Sequence, residues 1–306
     1  KIEPYKEKGI REKEQYVIEH LVVSGGGTYG LAVYGALKHL HINDVWDLSN
    51  IKSCHGTSIG SILLVMIIFG YDWETLDDYL IKRPWHNVFK IDWTKLLDMI
   101  DNCGIFEKNV YIHAFEPLFK GADVDTTMTL DEFYKKTKIE FYVYASEINK
   151  FELECFSYKT HPDMKVIDAC YASCSLPLLF KPLTINERTY MDGGLFLNYP
   201  IKACIEKMGA NPNQILGFRK IIINDYSDIL ITDSSNMMDY IMVVIKSIVN
   251  HVNQDVNEND NQTPNELTFH MEHFDLNSLK HFLESQENRI SLINEGIDNA
   301  KKFIET

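Results

Sequence analysis

Ile51-Lys52-Ser53-Cys54 runs into His55-Gly56-Thr57-Ser58-Ile59-Gly60 and then into the almost wholly apolar Ser61–Phe69. The first piece is a strand candidate. The last is a helix with no polar face, a pattern that belongs to buried helices. Between them Gly56-Thr57-Ser58-Ile59-Gly60 is a GxSxG placed where a strand meets a helix. A nucleophile elbow needs this arrangement. Flanking glycines let backbone segments approach, the tight turn exposes the Ser58 hydroxyl, and the helix N-terminus steadies developing negative charge. Upstream, His20-Leu21-Val22-Val23 ends in Ser24-Gly25-Gly26-Gly27, and a helical spacing of Leu31, Val33, Tyr34, Ala36, Leu37 and Leu40 follows. Two strand–turn–helix units in a row set the βαβα rhythm of an α/β domain.

Gly25, Gly27 and Gly30 satisfy GxGxxG, which also fits a dinucleotide fingerprint with Asp44 or Asp47 as the acid about 20 residues on. The bare N–H groups of Gly25, Gly26 and Gly27 at a helix start suit an oxyanion hole equally well. The GxSxG corner favours the second reading, because a nicotinamide-binding domain has no use for a serine elbow there. A third glycine corner, Asp192-Gly193-Gly194, supplies an acid. A carboxylate hydrogen-bonded to a serine hydroxyl can take its proton as general base.

Elsewhere, Thr129-Leu130-Asp131-Glu132 is a capping box that opens a helix reaching about Thr137. Ile139–Ser146 and Phe151–Ser157 read as a hairpin, Pro162–Ser173 as a helix, and Arg188–Met191 as a short strand. Pro200 and Gly209 bracket another helix. Asn253–Glu266 is so polar that it reads as a mobile loop, and the tail from Asp275 reads as one amphipathic helix docked on the body.

The composition narrows the class of protein. Of 306 residues, 45% are hydrophobic, enough for a sizeable core, and the formal net charge is -14. So acidic a chain is a poor nucleic-acid binder and a poor general adsorber to anionic bilayers. The charged N-terminal stretch around Lys6, Glu7, Lys8 and Arg11 is no signal peptide, and the apolar run Ile62–Phe69 is too short to cross a bilayer. The expectation is a cytoplasmic protein, peripheral to membranes at most. Cys54, Cys103, Cys155, Cys170, Cys174 and Cys204 form no CxxC pair, so reduced core thiols are expected and no metal site.

Taken in order, GGGxxG, GTSIG and DGG resemble the patatin-like phospholipases, a family of lipid acyl hydrolases. The similarity extends to Gly30–Leu40, Gly56–Tyr71 and Ala172–Pro200 and covers roughly residues 17–210. The resemblance implies a three-layer α/β/α sandwich with a central mixed, mostly parallel sheet. It implies Ser58 as nucleophile, Asp192 as its only catalytic partner, and an oxyanion hole from Gly25–Gly27. Gly30, Gly56, Gly60, Gly193 and Gly194 would shape these turns. No cofactor and no calcium would be needed, and the substrate would be a phospholipid or another acyl lipid. Tyr29 departs from the family, many of whose members carry Arg or Lys at that position.

A Ser–Asp–His hydrolase is the nearest rival, with His251, His270, His273 and His281 all following Asp192 in the chain. A catalytically weak lipid-binding protein of the same fold is a second rival. His55 reads as a strand-end residue facing away from the hydroxyl. Trp85, Phe89 and Trp93, interleaved with Lys82, Arg83 and Lys90, read as a packed crossover before they read as a membrane-facing cap. Lys135, Lys136 and Lys138 read as a solvated helix end, and Asp163 and Asp168 as surface or capping acids. The layout expected is a charged segment 1–16, a catalytic domain 17–250, and a polar loop with a C-terminal helical extension, 251–306, packed on the same domain.

Overall fold

The computed structural model describes residues 16–90, 103–222, 263–271 and 276–305, with positions 231, 232, 237, 240, 241, 243, 244, 247 and 248. The charged segment 1–15, Trp93, His251, His273 and the polar stretch 253–262 lie outside the described residues.

The sheet grows from β1 (His20–Val23), every residue of which is buried. A strand apolar on both faces needs cover on both sides, and parallel neighbours carrying crossover helices provide it. On one side β1 pairs in parallel with β2 (Ser53–Thr57), and β2 with β4 (Glu140–Glu147). On the other side β1 pairs in parallel with β9 (Ile215–Ile222), and β9 with β10 (Asn265–Met271). β5 (Glu152–Phe156) and β8 (Arg188–Asp192) run antiparallel to β4, and β7 (Leu183–Ile185) closes the edge beyond β8. A separate pair joins β3 (Gly104–Phe106) to β6 (Leu178–Phe180). The central sheet is therefore mixed and mostly parallel, as the resemblance implies.

Helices cover both faces. On one lie α1 (Gly30–Ile42), α2 (Ile59–Ile68), α3 (Lys108–Gly121), α4 (Leu130–Thr137) and α5 (Val166–Cys174). On the other, α6 (Ile201–Met208) packs Ile201 and Cys204 against Val22 and Ile215. α4 opens with both halves of its capping box, and α6 ends on Gly209 at φ 58°, as the sequence signals require. Buried His55 bonds Tyr144 Oη at 2.9 Å and stacks on Tyr142, a packing role that keeps it away from Ser58.

Several expectations need correction. β2 extends to Thr57, three residues past Cys54, because His55, Gly56 and Thr57 stay in register with β4. α5 begins at Val166, not Pro162. The end of the polar stretch, Asn265–Glu266, is strand rather than loop. The tail is two helices, α7 (Leu276–Glu284) and α8 (Gln286–Glu305), broken at Ser285, whose hydroxyl accepts the Asn288 N–H. Trp85, by contrast, is as expected: it is buried against Tyr79 and Phe115 and forms part of a packed crossover. Asp168 is a buried acid paired with Lys108 at 2.9 Å, not a surface one.

α8 lies against α1 at a close crossing. A Cβ placed on Gly296 would stand 1.8 Å from the Ala32 carbonyl oxygen, and one on Gly35 would stand 2.1 Å from that of Ile293. Helix propensity alone predicts that Gly296→Ala stabilises the protein by up to about 1 kcal/mol. The crossing predicts the opposite sign, a loss of about 1–3 kcal/mol from overpacking. Urea unfolding of Gly296→Ala decides between them.

Candidate active site

One strand aligns the two halves of the site. Val143 and Tyr144 of β4 pair with β2 on one edge and β5 on the other, while Ala145–Glu147 pair with β5 and β8. β2 and β8 therefore share one edge of β4 and meet there end to end. β2 finishes with Thr57 opposite Tyr144, and β8 finishes with Asp192 opposite Ala145. Ser58 and Asp192, 134 positions apart in sequence, are thereby brought together, and Ser58 Oγ donates to Asp192 Oδ2 at 2.6 Å.

The elbow is strained and held from several sides. Ser58 has φ 52° and ψ -131°, a backbone region that an L-residue occupies at a cost of about 1–3 kcal/mol. Its N–H donates to Ser173 Oγ at 2.8 Å, and the Ser173 hydroxyl in turn donates to the Tyr144 carbonyl. Thr57 Oγ1 donates to the Leu197 carbonyl at 2.9 Å. Close approach explains the glycines on either side of the serine. A Cβ on Gly56 would lie 2.8 Å from the Ser61 backbone, and one on Gly60 would lie 2.6 Å from the Val23 carbonyl oxygen.

Asp192 is fixed equally firmly. Its N–H donates to the Ser175 carbonyl, its own carbonyl accepts from Ser146 Oγ, and Oδ1 accepts the Gly194 N–H at 2.8 Å. Burial raises its pKa above the usual carboxylate range. The Ser58 hydroxyl, the Gly194 amide and the Lys220 ammonium all pull it back down. No described histidine bonds Asp192: His270 lies on the edge strand β10 and His281 on α7. Asp47 caps the helical turn at Leu48–Asn50 through the Ser49 N–H, which gives this candidate nucleotide acid a local structural task.

The glycine corner follows β1 directly. Gly25 N–H donates to the Asn198 carbonyl at 3.1 Å, which ties the corner to the loop after Asp192 and uses up that donor. Of the three amides expected to face an oxyanion, Gly26 and Gly27 remain without a partner among the described residues. Gly27 sits at φ 55°. Sequence reasoning missed Ser173, Asn198 and Lys220. Ser173 and Asn198 stand inside the Ala172–Pro200 block without a motif of their own. Lys220 is a single lysine in a strand the sequence did not disclose.

The fold is an α/β/α sandwich with a mixed, mostly parallel sheet, and at the meeting of two of its strands a serine hydroxyl bonds a buried carboxylate. The profile described as "Patatin-like phospholipase" matches residues 21–205, and the chain belongs to that family. It is 31% identical over 189 residues to a probable lipid hydrolase of Invertebrate iridescent virus 6, an alignment covering 61% of this chain and 63% of that protein. An uncharacterized protein of Acanthamoeba polyphaga mimivirus is 28% identical over 184 residues, with 60% of each chain covered. The matched region thus spans about three-fifths of the length of these relatives. VipD from Legionella pneumophila shares the fold at a TM-score of 0.56 and 13% identity, covering 95% of this chain and 67% of VipD.

The Ser173 relay can be tested without any assay of activity. Ser173→Ala takes the partner from the half-buried Ser58 N–H and from the buried Tyr144 carbonyl, at a cost of about 1–3 kcal/mol in unfolding free energy. A Ser173→Ala protein as stable as the wild type in urea would show that the elbow does not depend on this bond.

Proposed function

We propose that the chain is a lipid acyl hydrolase of the phospholipase A or lysophospholipase type, with Ser58 as nucleophile and Asp192 as general base. The observation that carries this reading is the 2.6 Å bond from Ser58 Oγ to Asp192 Oδ2 at a strained elbow. Family membership supports it, and so does the name of the iridescent-virus relative.

The geometry permits a two-step reaction. Asp192 accepts the Ser58 proton as Oγ attacks the ester carbonyl, and charge moves to the carbonyl oxygen. The amides of Gly26 and Gly27 meet that oxygen, with the dipole of the helical turn behind them. Each such donor is worth about 3–4 kcal/mol in the transition state. Collapse of the tetrahedral adduct breaks the ester C–O bond and releases the alcohol, which takes the proton from Asp192. Asp192 then draws a proton from water, the hydroxide adds to the acyl-enzyme, and the fatty acid leaves as Ser58 is reprotonated. Asp192 serves as base in both halves, and its burial suits it to the task, because a carboxylate with a raised pKa is the stronger proton acceptor. Calcium has no step to perform in this scheme.

Ser58→Ala should abolish both fluorophosphonate labelling and acyl release from a panel of phospholipids, lysophospholipids and neutral glycerides. Persistent labelling of that variant would remove Ser58 from the nucleophile position. Asp192→Asn should fold normally yet lose at least about a hundredfold in turnover. The His270→Ala, His281→Ala double variant should work at near-normal rate, and loss of turnover there would point to a histidine triad instead. A wild-type protein that binds lipid vesicles but releases no acid from any member of the panel would leave only a lipid-binding role.

A further inference from the structure

The row of residues at the C-terminal edge of the sheet contains a cation with no described partner. Phe218 of β9, Val23 of β1 and Gly56 of β2 lie in register across three parallel strands. Two residues further along each chain stand Lys220, Gly25 and Ser58. Side chains two apart on a strand share a face. Lys220 thus continues the face of Phe218, on which α1 and α2 pack. Its backbone is pinned at the mouth of the glycine corner: Ser24 N–H donates to the Phe218 carbonyl, and Lys220 N–H donates to Ser24 Oγ at 2.9 Å. Between Lys220 and Ser58 the row holds Gly25, where a Cβ would stand 2.6 Å from Asn198 Oδ1 and 3.0 Å from Ser58 Cβ, so the neutral Asn198 carboxamide flanks the serine there and no second charge does. Among the described residues the Lys220 ammonium has neither a hydrogen bond nor an ion pair.

The neighbouring charges are engaged elsewhere. Arg219 points to the opposite face, where it pairs with Glu266 at 3.6 Å. Glu147 on β4 accepts the turn amides of Asn149 and Lys150. Asp168 on α5 pairs with Lys108, and Arg188 at the start of β8 pairs with Glu154 at 2.6 Å. Cys174 on α5 is a neutral thiol, pushed up to about 12 chiefly by burial. His270 on β10 is exposed. Among the described residues that leaves Asp192 as the charge Lys220 answers to.

The geometry points to Lys220 as the counter-cation of the Ser58–Asp192 pair, a positioning residue that acts on the reaction by holding Asp192 in its ionised, proton-accepting form. This rests on the reading of Ser58 and Asp192 as nucleophile and base. Burial alone favours the protonated carboxyl, which cannot accept the serine proton. A half-buried ammonium on a neighbouring strand opposes that without a direct bond that would compete with Ser58 for Oδ2. The titration of both groups is consistent with this. Lys220 pulls Asp192 down, while burial pulls Lys220 to about 8 and Asp192 pushes it back up. Below about 8 the ammonium keeps its proton, so the cation is present throughout the acidic range in which Asp192 titrates.

The test is a pH–rate series on the full chain with p-nitrophenyl butyrate, an uncharged ester, for wild type, Lys220→Met, Lys220→Gln and Lys220→Arg. Removing the cation should move the acidic limb of kcat/KM upward by about one pH unit. KM should stay unchanged and the rate should recover as the pH rises, and Lys220→Arg should keep the wild-type limb. A second readout needs no turnover: carbon NMR titration of the Asp192 carboxyl in Ser58→Ala, with and without Lys220→Met, should show the same upward displacement. A uniform drop in rate with an unmoved limb and an unmoved Asp192 titration would reduce Lys220 to a structural part. A loss confined to phosphate-bearing substrates, again with an unmoved limb, would make it a head-group contact and overturn the proposal. Failure of the wild type to hydrolyse any ester falls on the proposed function alone, since the Asp192 titration still reads the lysine.

Discussion

The edge of β4 is the constraint on which the rest of the site depends. A strand edge offers one line of backbone donors and acceptors, and here two strands divide it, β2 arriving in parallel and β8 in the opposite sense. Because they arrive from opposite directions, both present their C-terminal ends at the same point. The Tyr144–Ala145 step therefore fixes the separation of a serine and a carboxylate that no local sequence rule relates. The surrounding bonds defend this junction. Ser173 links the Ser58 amide to the Tyr144 carbonyl, Ser146 holds the Asp192 carbonyl, and Thr57 reaches the Leu197 carbonyl across the gap between the strands. The strain at Ser58 persists because its neighbours over-determine it.

Burial gives this junction its chemistry and also endangers it. A carboxylate withdrawn from water is a stronger base, yet the same withdrawal drives it towards the protonated form in which it is no base at all. Two hydrogen bonds to Asp192 and one distant cation offset the penalty, and each acts differently. The Gly194 amide orients Oδ1, the Ser58 hydroxyl occupies Oδ2, and in the arrangement proposed for Lys220 a cation adds charge without claiming a lone pair. A salt bridge made directly to Asp192 would have supplied more Coulomb energy but would have displaced the serine.

The sequence disclosed what is local. β1, the elbow, α2, the capping box of α4, the β4–β5 hairpin and the Pro200–Gly209 bracket each rest on residues within a few positions of one another, and each is where the pattern places it. The glycine corners were legible because some of their positions admit nothing larger: Gly193 lies against the Tyr144 carbonyl, Gly25 against the Asn198 and Ser58 side chains, and Gly27 sits at φ 55°. What stayed hidden depends on pairing between distant segments. The start of β10 looked like loop because Asn265 and Glu266 suit an edge strand without announcing one. The amide of Gly25 looked like a free donor, but Asn198, far along the chain, takes it. Lys220 was invisible for the same reason: its role follows from the register of β9 against β1, and no motif marks that register.

The matched family region ends at residue 205, yet the site draws on residues beyond it. β9 supplies Lys220 and the Phe218 carbonyl that fixes Ser24 at the start of the glycine corner. α1 begins immediately after that corner, so the placement of Gly26 and Gly27 depends on how α1 is seated. α8 seats it, packed so closely that Gly35 and Gly296 meet carbonyls of the opposing helix. Arg289 of α8, itself buried, donates to the carbonyls of Ile81, Phe282 and Leu283, which ties the C-terminal helices to the segment leading out of α2. A buried arginine with no ion pair among the described residues is tolerable only where several carbonyls solvate it, so this contact resists sliding. The serine and the aspartate thus come from the family core, while the strand and helix that hold the glycine corner in place come from the part of the chain that follows it.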